Sequence, residues 1–206
     1  MRVAIVGGTG DFGLAVARHL VRAGDEVVIG SRDSERAEEK GREVGAFAGA
    51  TNEEAVDGVD LVVLATKAEA TLETAGSLGE ALGLTPVLSV ASELHFTPGG
   101  VLPYAEARSL AERTQDLVEA PVVAGLHSLA AGKLAHGLPD EDAFVCGDDD
   151  EAKRLALELA AKVIRGRAVD AGPLASARAL EAMTAVLLNL NRAYKTHVGL
   201  RITGIP

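Results

Sequence analysis

Short apolar runs alternate along the chain with longer segments in which apolar residues recur at the helical period. The runs are apolar at nearly every position, which is typical of parallel strands that are buried on both faces. They predict strands at Val3–Val6, Glu26–Ile29, Ala46–Ala48, Leu61–Leu64, Val87–Val90 and Val122–Ala124. The segments between them predict helices at Phe12–Ala23, Ser34–Val44, Glu53–Asp57, Ala68–Leu82 and Tyr104–Val118. This order of elements predicts an α/β fold with a doubly wound parallel sheet.

The last third of the chain has a different pattern. It predicts a strand at Phe144–Cys146, a helix at Glu151–Ile164, a strand at Ala168–Asp170 and a long helix from Pro173 to about Tyr194. Apolar residues surround nearly the whole of that last helix, so we expect it to be buried on more than one side. A contact between two subunits would satisfy this expectation, and packing against its own domain would satisfy it as well.

The charge and the cysteine content exclude several classes of protein. The formal net charge is -10, from 30 acidic and 20 basic residues, so nucleic acid is not an expected partner. Cys146 is the sole cysteine and cannot form an internal disulfide, and the chain opens on a strand pattern rather than a signal peptide. Asn189, Asn191 and Arg192 interrupt the longest apolar stretch near the C-terminus. We therefore expect a cytoplasmic protein without a membrane partner.

A glycine-rich turn follows the first predicted strand. Gly8, Gly10 and Gly13 fill the pattern G-x-G-x-x-G between this strand and the next helix. In that context Gly8 permits a tight turn, Gly10 lets a pyrophosphate approach the backbone, and Gly13 lets the helix pack closely on the strand. The pattern predicts a dinucleotide site on a Rossmann-type fold. We assign residues 1–140 to this nucleotide-binding domain and residues 141–206 to a small C-terminal α/β appendage for substrate binding or dimerisation.

The end of the second predicted strand indicates which dinucleotide binds. A site for NAD carries Asp or Glu at this point, whereas this chain has Gly30-Ser31-Arg32, with Arg36 one helical turn further on. A hydroxyl and two guanidinium groups would hold a 2′-phosphate through charge-assisted hydrogen bonds. The alternative is that both arginines are solvated on an acidic helix. We prefer NADP(H).

Thr66, Lys67, Ala68 and Leu72 follow the fourth predicted strand, whose carboxyl end is expected to border the same crevice. Ala68 and Leu72 are four residues apart and would form an apolar wall beside the cofactor. A plain packing role explains these two residues equally well.

Three further motifs have both a functional and a structural interpretation. The acidic run after Cys146 resembles a metal site, but we expect Asp148 to cap the following helix and we predict no metal. His127 follows the strand at Val122–Ala124, so it either faces the substrate or bonds to the backbone. Arg178 and Glu181 are three residues apart and predict an ion pair, either on the helix surface or at the mouth of the cleft.

The chain resembles the NADP-dependent reductases of the deazaflavin coenzyme F420 nearly from end to end. The resemblance rests on five segments, of which the later ones are the more specific. These segments are Met1-Arg2-Val3-Ala4 leading into Gly7-Gly8-Thr9-Gly10, Gly30-Ser31-Arg32, Leu126-His127, Val145 to Glu151, and Asp170-Ala171-Gly172-Pro173-Leu174 with Arg178. The chain departs from the family in the loops that shape the acceptor side, at Thr66-Lys67-Ala68 and Ser89 to Leu94.

The resemblance implies an enzyme that passes a hydride between NADP(H) and coenzyme F420 as co-substrate. It further implies that Thr9, Gly10, Asp11 and Phe12 touch the pyrophosphate, and that Ser31, Arg32 and Arg36 hold the 2′-phosphate. Residues from His127 to Ala131 would border the pocket in which the rings stack, with His127 lining the cleft rather than acting as an acid or base. Both rings carry the reactivity, so the protein has to orient them and exclude water.

Two other functions remain open at this point. One is an NADPH-dependent reductase whose acceptor is a flavin or a small carbonyl or imine compound. The other is a non-catalytic sensor that binds NADP(H). In each case the expected partners are small molecules, and the long last helix predicts a homodimer.

Overall fold

The computed structural model describes residues 1–205, and its centre is a single sheet of eight strands. Two further strands form a separate hairpin. The strands are β1 (Arg2–Val6), β2 (Glu26–Ser31), β3 (Ala48–Thr51), β4 (Leu61–Leu64), β5 (Val87–Ser89), β6 (Leu94–Thr97), β7 (Gly100–Pro103), β8 (Val122–Gly125), β9 (Ala143–Gly147) and β10 (Ala168–Asp170).

Helices join the strands and cover both faces of the sheet. They are α1 (Asp11–Arg22), α2 (Ser34–Val44), α3 (Asn52–Ala55), α4 (Ala68–Leu82), α5 (Leu110–Gln115), α6 (Ala131–His136), α7 (Asp150–Lys162) and α8 (Ala177–Tyr194). A short 3₁₀ turn at Leu174–Ser176 precedes α8.

The strand order is β10-β9-β8-β5-β4-β1-β2-β3. All neighbours are parallel except β8 and β9, which are antiparallel. The α/β fold with a doubly wound, mostly parallel sheet is thus confirmed, and the order reverses at β1, between β4 and β2. Ligands bind at such a reversal point, beyond the carboxyl ends of the strands. The strands of the C-terminal part extend this same sheet, while the division at residue 140 into two domains stays a prediction.

Alternate residues of each central strand enter different apolar cores. Val3 and Ile5 of β1 pack on one face with α1 and α7, whereas Ala4 and Val6 pack on the other face with α4 and α5. All four are fully buried. Burial on both faces explains why the strands are almost continuously apolar in sequence.

The segment before β8 differs most from the prediction. A helix over Tyr104–Val118 is wrong, because α5 covers only Leu110–Gln115 and follows the β6–β7 hairpin. The side chain of Ser109 accepts a hydrogen bond from the Glu112 amide at 3.0 Å, and Glu112 accepts one from the Ser109 amide at 2.7 Å. This reciprocal capping box fixes where the helix begins, so residues 104–108 lie outside it.

The capping of α7 also corrects a prediction. The residue that caps this helix is Asp149, whose carboxylate accepts a hydrogen bond from the Ala152 amide at 2.8 Å. Asp148 instead accepts a bond from the Leu174 amide at 3.0 Å and so holds the turn before α8. Near its start, α8 is shorter than predicted, because Pro173 opens the 3₁₀ turn rather than the α-helix.

Within residues 1–205, none of the helices combines the length and the apolar character that crossing a membrane requires.

Candidate active site at the carboxyl edge of the sheet

The glycine-rich turn between β1 and α1 is shaped by contacts that exclude side chains. The left-handed backbone lies at Gly7, with a φ of 72°, and not at Gly8. A Cβ on Gly8 would lie 2.5 Å from the Ile5 carbonyl oxygen, and one on Gly13 would lie 2.9 Å from the Gly8 Cα. Gly13 is therefore required by close packing of the helix on the turn, as the motif predicts, whereas Gly8 is required by its close approach to the β1 backbone.

Gly10 has a different environment from its neighbours in the turn. It caps α1 in an extended conformation, and no side chain accepts hydrogen bonds from the first amides of that helix. A Cβ on Gly10 would meet only the Gly7 carbonyl oxygen, at 3.6 Å. The missing side chain thus leaves the helix N-terminus accessible, and such a terminus binds phosphate groups.

A cavity of about 700 Å³ lies beyond the carboxyl ends of β1, β2 and β4. A volume of this size is within the usual range for small-molecule sites, about 300–1,000 Å³. Its lining combines the glycine turn, the end of β2, the start of α2 and the first turns of α4. The lining residues are Gly7, Thr9, Gly10, Ser31, Arg32, Asp33, Arg36, Asn52, Ala65, Thr66, Lys67, Glu69, Ala70, Glu73 and Thr74.

The structure brings together six of the predicted cofactor residues in this lining, namely Thr9, Gly10, Ser31, Arg32, Arg36 and Thr66. Gly8 and Gly13 do not line the cavity, but their close contacts shape the turn that does. Asp11, Phe12, Ala68, Leu72 and Ala131 are not among the residues that line the cavity, and Phe12 packs against the core. The predicted apolar wall is replaced by the α4 residues Glu69, Ala70, Glu73 and Thr74, three of which are polar.

The two arginines at the end of β2 are available to an anion. Neither Arg32 nor Arg36 forms a salt bridge or a side-chain hydrogen bond within residues 1–205, although acidic residues surround them in sequence. The nearest acid, Asp33, caps α2 by accepting a bond from the Arg36 amide at 3.1 Å. Ser31 accepts a bond from the Asp33 amide at 3.2 Å, which fixes the hydroxyl at the mouth of the cavity. Within the described residues, two guanidinium groups without a protein partner therefore lie near Ser31, in a cavity whose charged lining also includes Lys67 and the acids Asp33, Glu69 and Glu73.

Asn52 is a lining residue that sequence reasoning missed. It follows β3, where Thr51 and Glu54 form a capping box, and this S/T-x-x-E signature could have located it at a strand end. The Asn52 Oδ1 atom is buried and has no hydrogen-bond partner within the described residues. A buried acceptor without a partner is costly, so a ligand donor at this position would satisfy it.

His127 lies just after the carboxyl end of β8. In the strand order, β8 and β2 are on opposite sides of β1. The preceding residue, Leu126, is buried and adopts a left-handed backbone with a φ of 65°, which is rare for a side chain of this kind. The His127 carbonyl accepts a hydrogen bond from Thr184 of α8 at 3.0 Å, and Thr184 also bonds to Ser92 at 2.8 Å. The strained turn and this bond fix the backbone at His127.

The His127 side chain lines a second, smaller cavity of about 180 Å³. The other lining residues are almost all apolar, and they are Ser128, Phe144, Leu180, Met183, Leu200 and Ile202. The ring is only 6% exposed, and neither ring nitrogen has a well-formed hydrogen bond in the described chain. Burial lowers the pKa of His127 to about 4, against a weaker opposing effect of the Ala91 backbone. The imidazole is therefore neutral at pH 7.

Arg178 and Glu181 do not pair with each other, so that prediction is wrong. Arg178 donates to the backbone carbonyl of Glu106. The Glu181 carboxylate is buried and accepts hydrogen bonds from the amides of Leu110 and Ala111 at 3.0 and 3.2 Å. Glu181 thus joins α8 to the N-terminus of α5. Burial raises the pKa of Glu181 to about 7, although the two amide bonds oppose this effect.

The raised pKa of Glu181 makes stability depend on pH. Between the unfolded pKa of 4.5 and the folded pKa of about 7, the folded state retains a proton that the unfolded state has lost. The free energy of unfolding from this group therefore decreases as the pH rises through that interval. We expect Glu181→Gln to reduce the difference in unfolding free energy between pH 5 and pH 8 by about 2 kcal/mol.

Urea denaturation of the wild type and of Glu181→Gln at both pH values would measure this difference. Glu80→Gln, an exposed change on α4, is the matched control. Parallel pH profiles for the wild type and Glu181→Gln would contradict the assignment.

The acidic run after Cys146 has structural roles. Within residues 1–205 there is no group of three or more His, Cys, Asp or Glu side chains arranged to hold a metal ion. Cys146 is buried in the apolar core, and burial raises the pKa of its thiol to about 12.

Known proteins resemble this chain along its whole length. The F420-dependent NADP reductase of Methanothermobacter marburgensis is 35% identical, with 100% of each chain covered. That of Methanocaldococcus jannaschii is 34% identical, with coverage of 100% of this chain and 99% of the other. The crystal structure of a candidate F420-dependent NADP reductase from Arthrobacter sp. FB24 has a TM-score of 0.85 and 27% identity, over 99% of this chain and 100% of that one.

One family model matches the N-terminal part of the chain, which carries the glycine turn and the two arginines. It is the family described as NADP oxidoreductase, coenzyme F420-dependent, and it matches residues 2–93. Together with the full-length identity above 30%, this match shows that the chain belongs to the family of F420-dependent NADP oxidoreductases.

Proposed function

We propose that this protein transfers a hydride between NADP(H) and the deazaflavin coenzyme F420. The observation that carries the proposal is the pairing of two cavities at one edge of the sheet. The larger cavity has the glycine turn and two unpaired arginines, and the smaller one is apolar and contains His127. The names of the full-length relatives support F420 as the acceptor.

The residues of the larger cavity fit NADP(H) in both charge and shape. The open side of Gly10 and the uncapped amides of α1 would receive the pyrophosphate, with Thr9, Asp11 and Phe12 around it. Ser31, Arg32 and Arg36 would bind the 2′-phosphate, and the orphaned Oδ1 of Asn52 would accept a hydrogen bond from the same nucleotide.

The smaller cavity fits the edge of an aromatic ring system. Its volume is close to that of an engineered cavity of about 150 Å³ that binds benzene, and its walls are almost entirely apolar. When both substrates are bound, nicotinamide C4 and deazaflavin C5 supply the whole of the redox chemistry. The part left to the chain is to orient the rings and to keep water out.

The proposed role of His127 is to line the cleft. Burial lowers its pKa to about 4, so the imidazole is neutral at pH 7 and is not available as an imidazolium acid. Its backbone is fixed by Thr184 and by the strained Leu126, and the ring therefore offers a rigid surface for the acceptor. We further propose that Ala131, at the start of α6, borders the acceptor pocket, as the family resemblance implies.

A spectrophotometric assay tests the proposal. Purified protein is mixed with NADPH and oxidised F420, and the loss of the visible absorption of the deazaflavin is recorded, with NADH and free FMN in parallel. Bleaching with NADPH and F420 alone is the expected result. Reduction of FMN instead would indicate a different acceptor, and binding of NADPH without any turnover would indicate a sensor.

We also infer that the protein forms a homodimer through α8. Four exposed apolar side chains follow one face of this helix at intervals of three or four residues, namely Met183, Val186, Leu190 and Tyr194. An exposed apolar stripe of this kind is typical of an interface, and a second copy of the same helix offers a matching surface. Light scattering should give about twice the chain mass of 21.2 kDa, and a monomer mass would contradict the inference.

A further inference from the structure

The segment that follows α8 is neither helix nor strand, yet it is tied to the body of the protein. The Val198 amide donates to Asn191 Oδ1 at 2.7 Å. The Leu200 carbonyl accepts from the Asp142 amide at 2.7 Å, and the Ile202 amide donates to Asp142 Oδ2 at 2.8 Å. We call residues 196–205 the C-terminal segment.

Asp142 is the centre of these contacts. Its carboxylate is 1% exposed and lies immediately before β9. Besides the Ile202 amide, it accepts bonds from the amide and the guanidinium of Arg167 at 2.9 and 2.8 Å. Arg167 in turn donates to the backbone carbonyls of Ile202 and Ile205. Hydrogen bonds from Arg167 hold the pKa of Asp142 well below its usual range, so the carboxylate is charged at any pH of interest.

The anchored segment forms one wall of the apolar cavity. Leu200 and Ile202, which bond to Asp142 through their backbones, both line that cavity together with His127. Ser128, the lining residue next to His127 in sequence, donates from its hydroxyl to the Asp142 carbonyl at 3.4 Å. One buried residue thus connects two walls of the same space.

We propose that Asp142 is a positioning residue that holds the C-terminal segment in place as a wall of the acceptor pocket. The inference rests on the proposed function, since it takes the cavity at His127 as the site of the deazaflavin. Without this anchor, Leu200 and Ile202 would move apart from His127 and the pocket would open to water. Binding of the acceptor would weaken, whereas the nucleotide cavity, at β1, β2 and β4, would be unaffected.

Asp142→Asn tests the anchor with little change in volume. An amide has one acceptor oxygen, so in either orientation its NH₂ group faces a donor, from Arg167 or from Ile202. We expect at least a tenfold increase in the KM for F420, with the KM for NADPH within twofold of the wild type. The double variant Leu200→Ala/Ile202→Ala keeps the full chain and shortens both side chains of this wall, and it should show the same selective increase, so the test survives if Asp142→Asn folds poorly.

Asp140→Asn is the matched control. It breaks the exposed ion pair between Asp140 and Arg201, which ties the same segment to the body at the surface. We expect this variant to keep the KM for F420 within twofold. An unchanged KM for F420 in both Asp142→Asn and Leu200→Ala/Ile202→Ala would overturn the proposal, and so would an equal rise in the KM for both substrates.

Two further readouts separate this inference from the proposed function. Failure of the wild type to reduce F420 would overturn the proposed function alone. Hydrogen exchange would still test the anchor, because Asp142→Asn should speed exchange at the amides of Val198 and Ile202 at least tenfold. Titration of the protein with oxidised F420, recorded through the fluorescence of F420 itself, would measure binding of the acceptor and so test the wall without turnover. Unchanged exchange at both amides would overturn the inference.

Discussion

Replacing Arg32 with Ala is expected to raise the KM for NADPH by roughly 10- to 100-fold, because a charge-assisted hydrogen bond contributes about 1.5–3 kcal/mol. The KM for NADH should stay within twofold, since NADH has no 2′-phosphate. The reason lies in the surroundings of Arg32, which lines the large cavity without a salt bridge in the described chain. Its guanidinium is therefore free to bind a ligand rather than the protein.

Arg42→Ala is the matched control for this prediction. Arg42 lies on α2, the helix that begins just after Arg32, but it is exposed and pairs with Glu38 at 3.7 Å. Steady-state kinetics of the wild type, Arg32→Ala and Arg42→Ala with each nucleotide would give the six KM values that are needed. Equal changes for NADPH and NADH in Arg32→Ala would contradict the assignment of the 2′-phosphate site.

Replacing Gly10 with Val is expected to weaken NADPH binding by about 100-fold, or about 2.8 kcal/mol, without unfolding the protein. Gly10 has a φ of −81°, which any residue adopts, and its Cβ would have no neighbour closer than 3.6 Å. The added side chain would therefore occupy the space through which a pyrophosphate approaches the start of α1. Calorimetric titration with NADPH and a thermal melt would measure the two effects separately.

Gly76→Val provides the control for that substitution. Gly76 lies within α4, and a Cβ there would have no neighbour within 4 Å. This variant should bind NADPH as the wild type does. If Gly10→Val bound NADPH normally, or lost its melting transition as well as its binding, the proposed approach of the pyrophosphate would be incorrect.

The nucleotide half of the protein was predictable because its signals are local. An apolar run, a glycine turn and an amphipathic segment each occupy consecutive residues, and β1, α1 and β2 follow from them. The same holds for the positions of Ser31, Arg32 and Arg36, which come directly after a strand. The parallel arrangement of the strands then brings these local features to one edge.

The acceptor half was less predictable because its contacts join distant parts of the chain. Nothing near Asp142 in sequence indicates that it binds the Ile202 amide, and nothing near Glu181 indicates that it caps α5. Arg178 and Glu181 have the spacing of an ion pair, but tertiary packing gives each another partner. The β6–β7 hairpin is an exception, because Pro98-Gly99 between its strands is a local turn signal that could have located it.

The wall formed by Leu200 and Ile202 has a consequence for the order in which the protein matures on the ribosome. Chains are made from the N-terminus at about 5–20 residues per second, and units that are complete can fold before the rest emerges. All residues that line the nucleotide cavity lie between Gly7 and Thr74, whereas the lining of the pocket at His127 is complete only after Ile202 has emerged. Because β1 also packs on α7, the sheet behind the nucleotide cavity is not fully covered until most of the chain has been made. The acceptor pocket is the last site to be completed, and translation that stops before Leu200 would leave it without this wall.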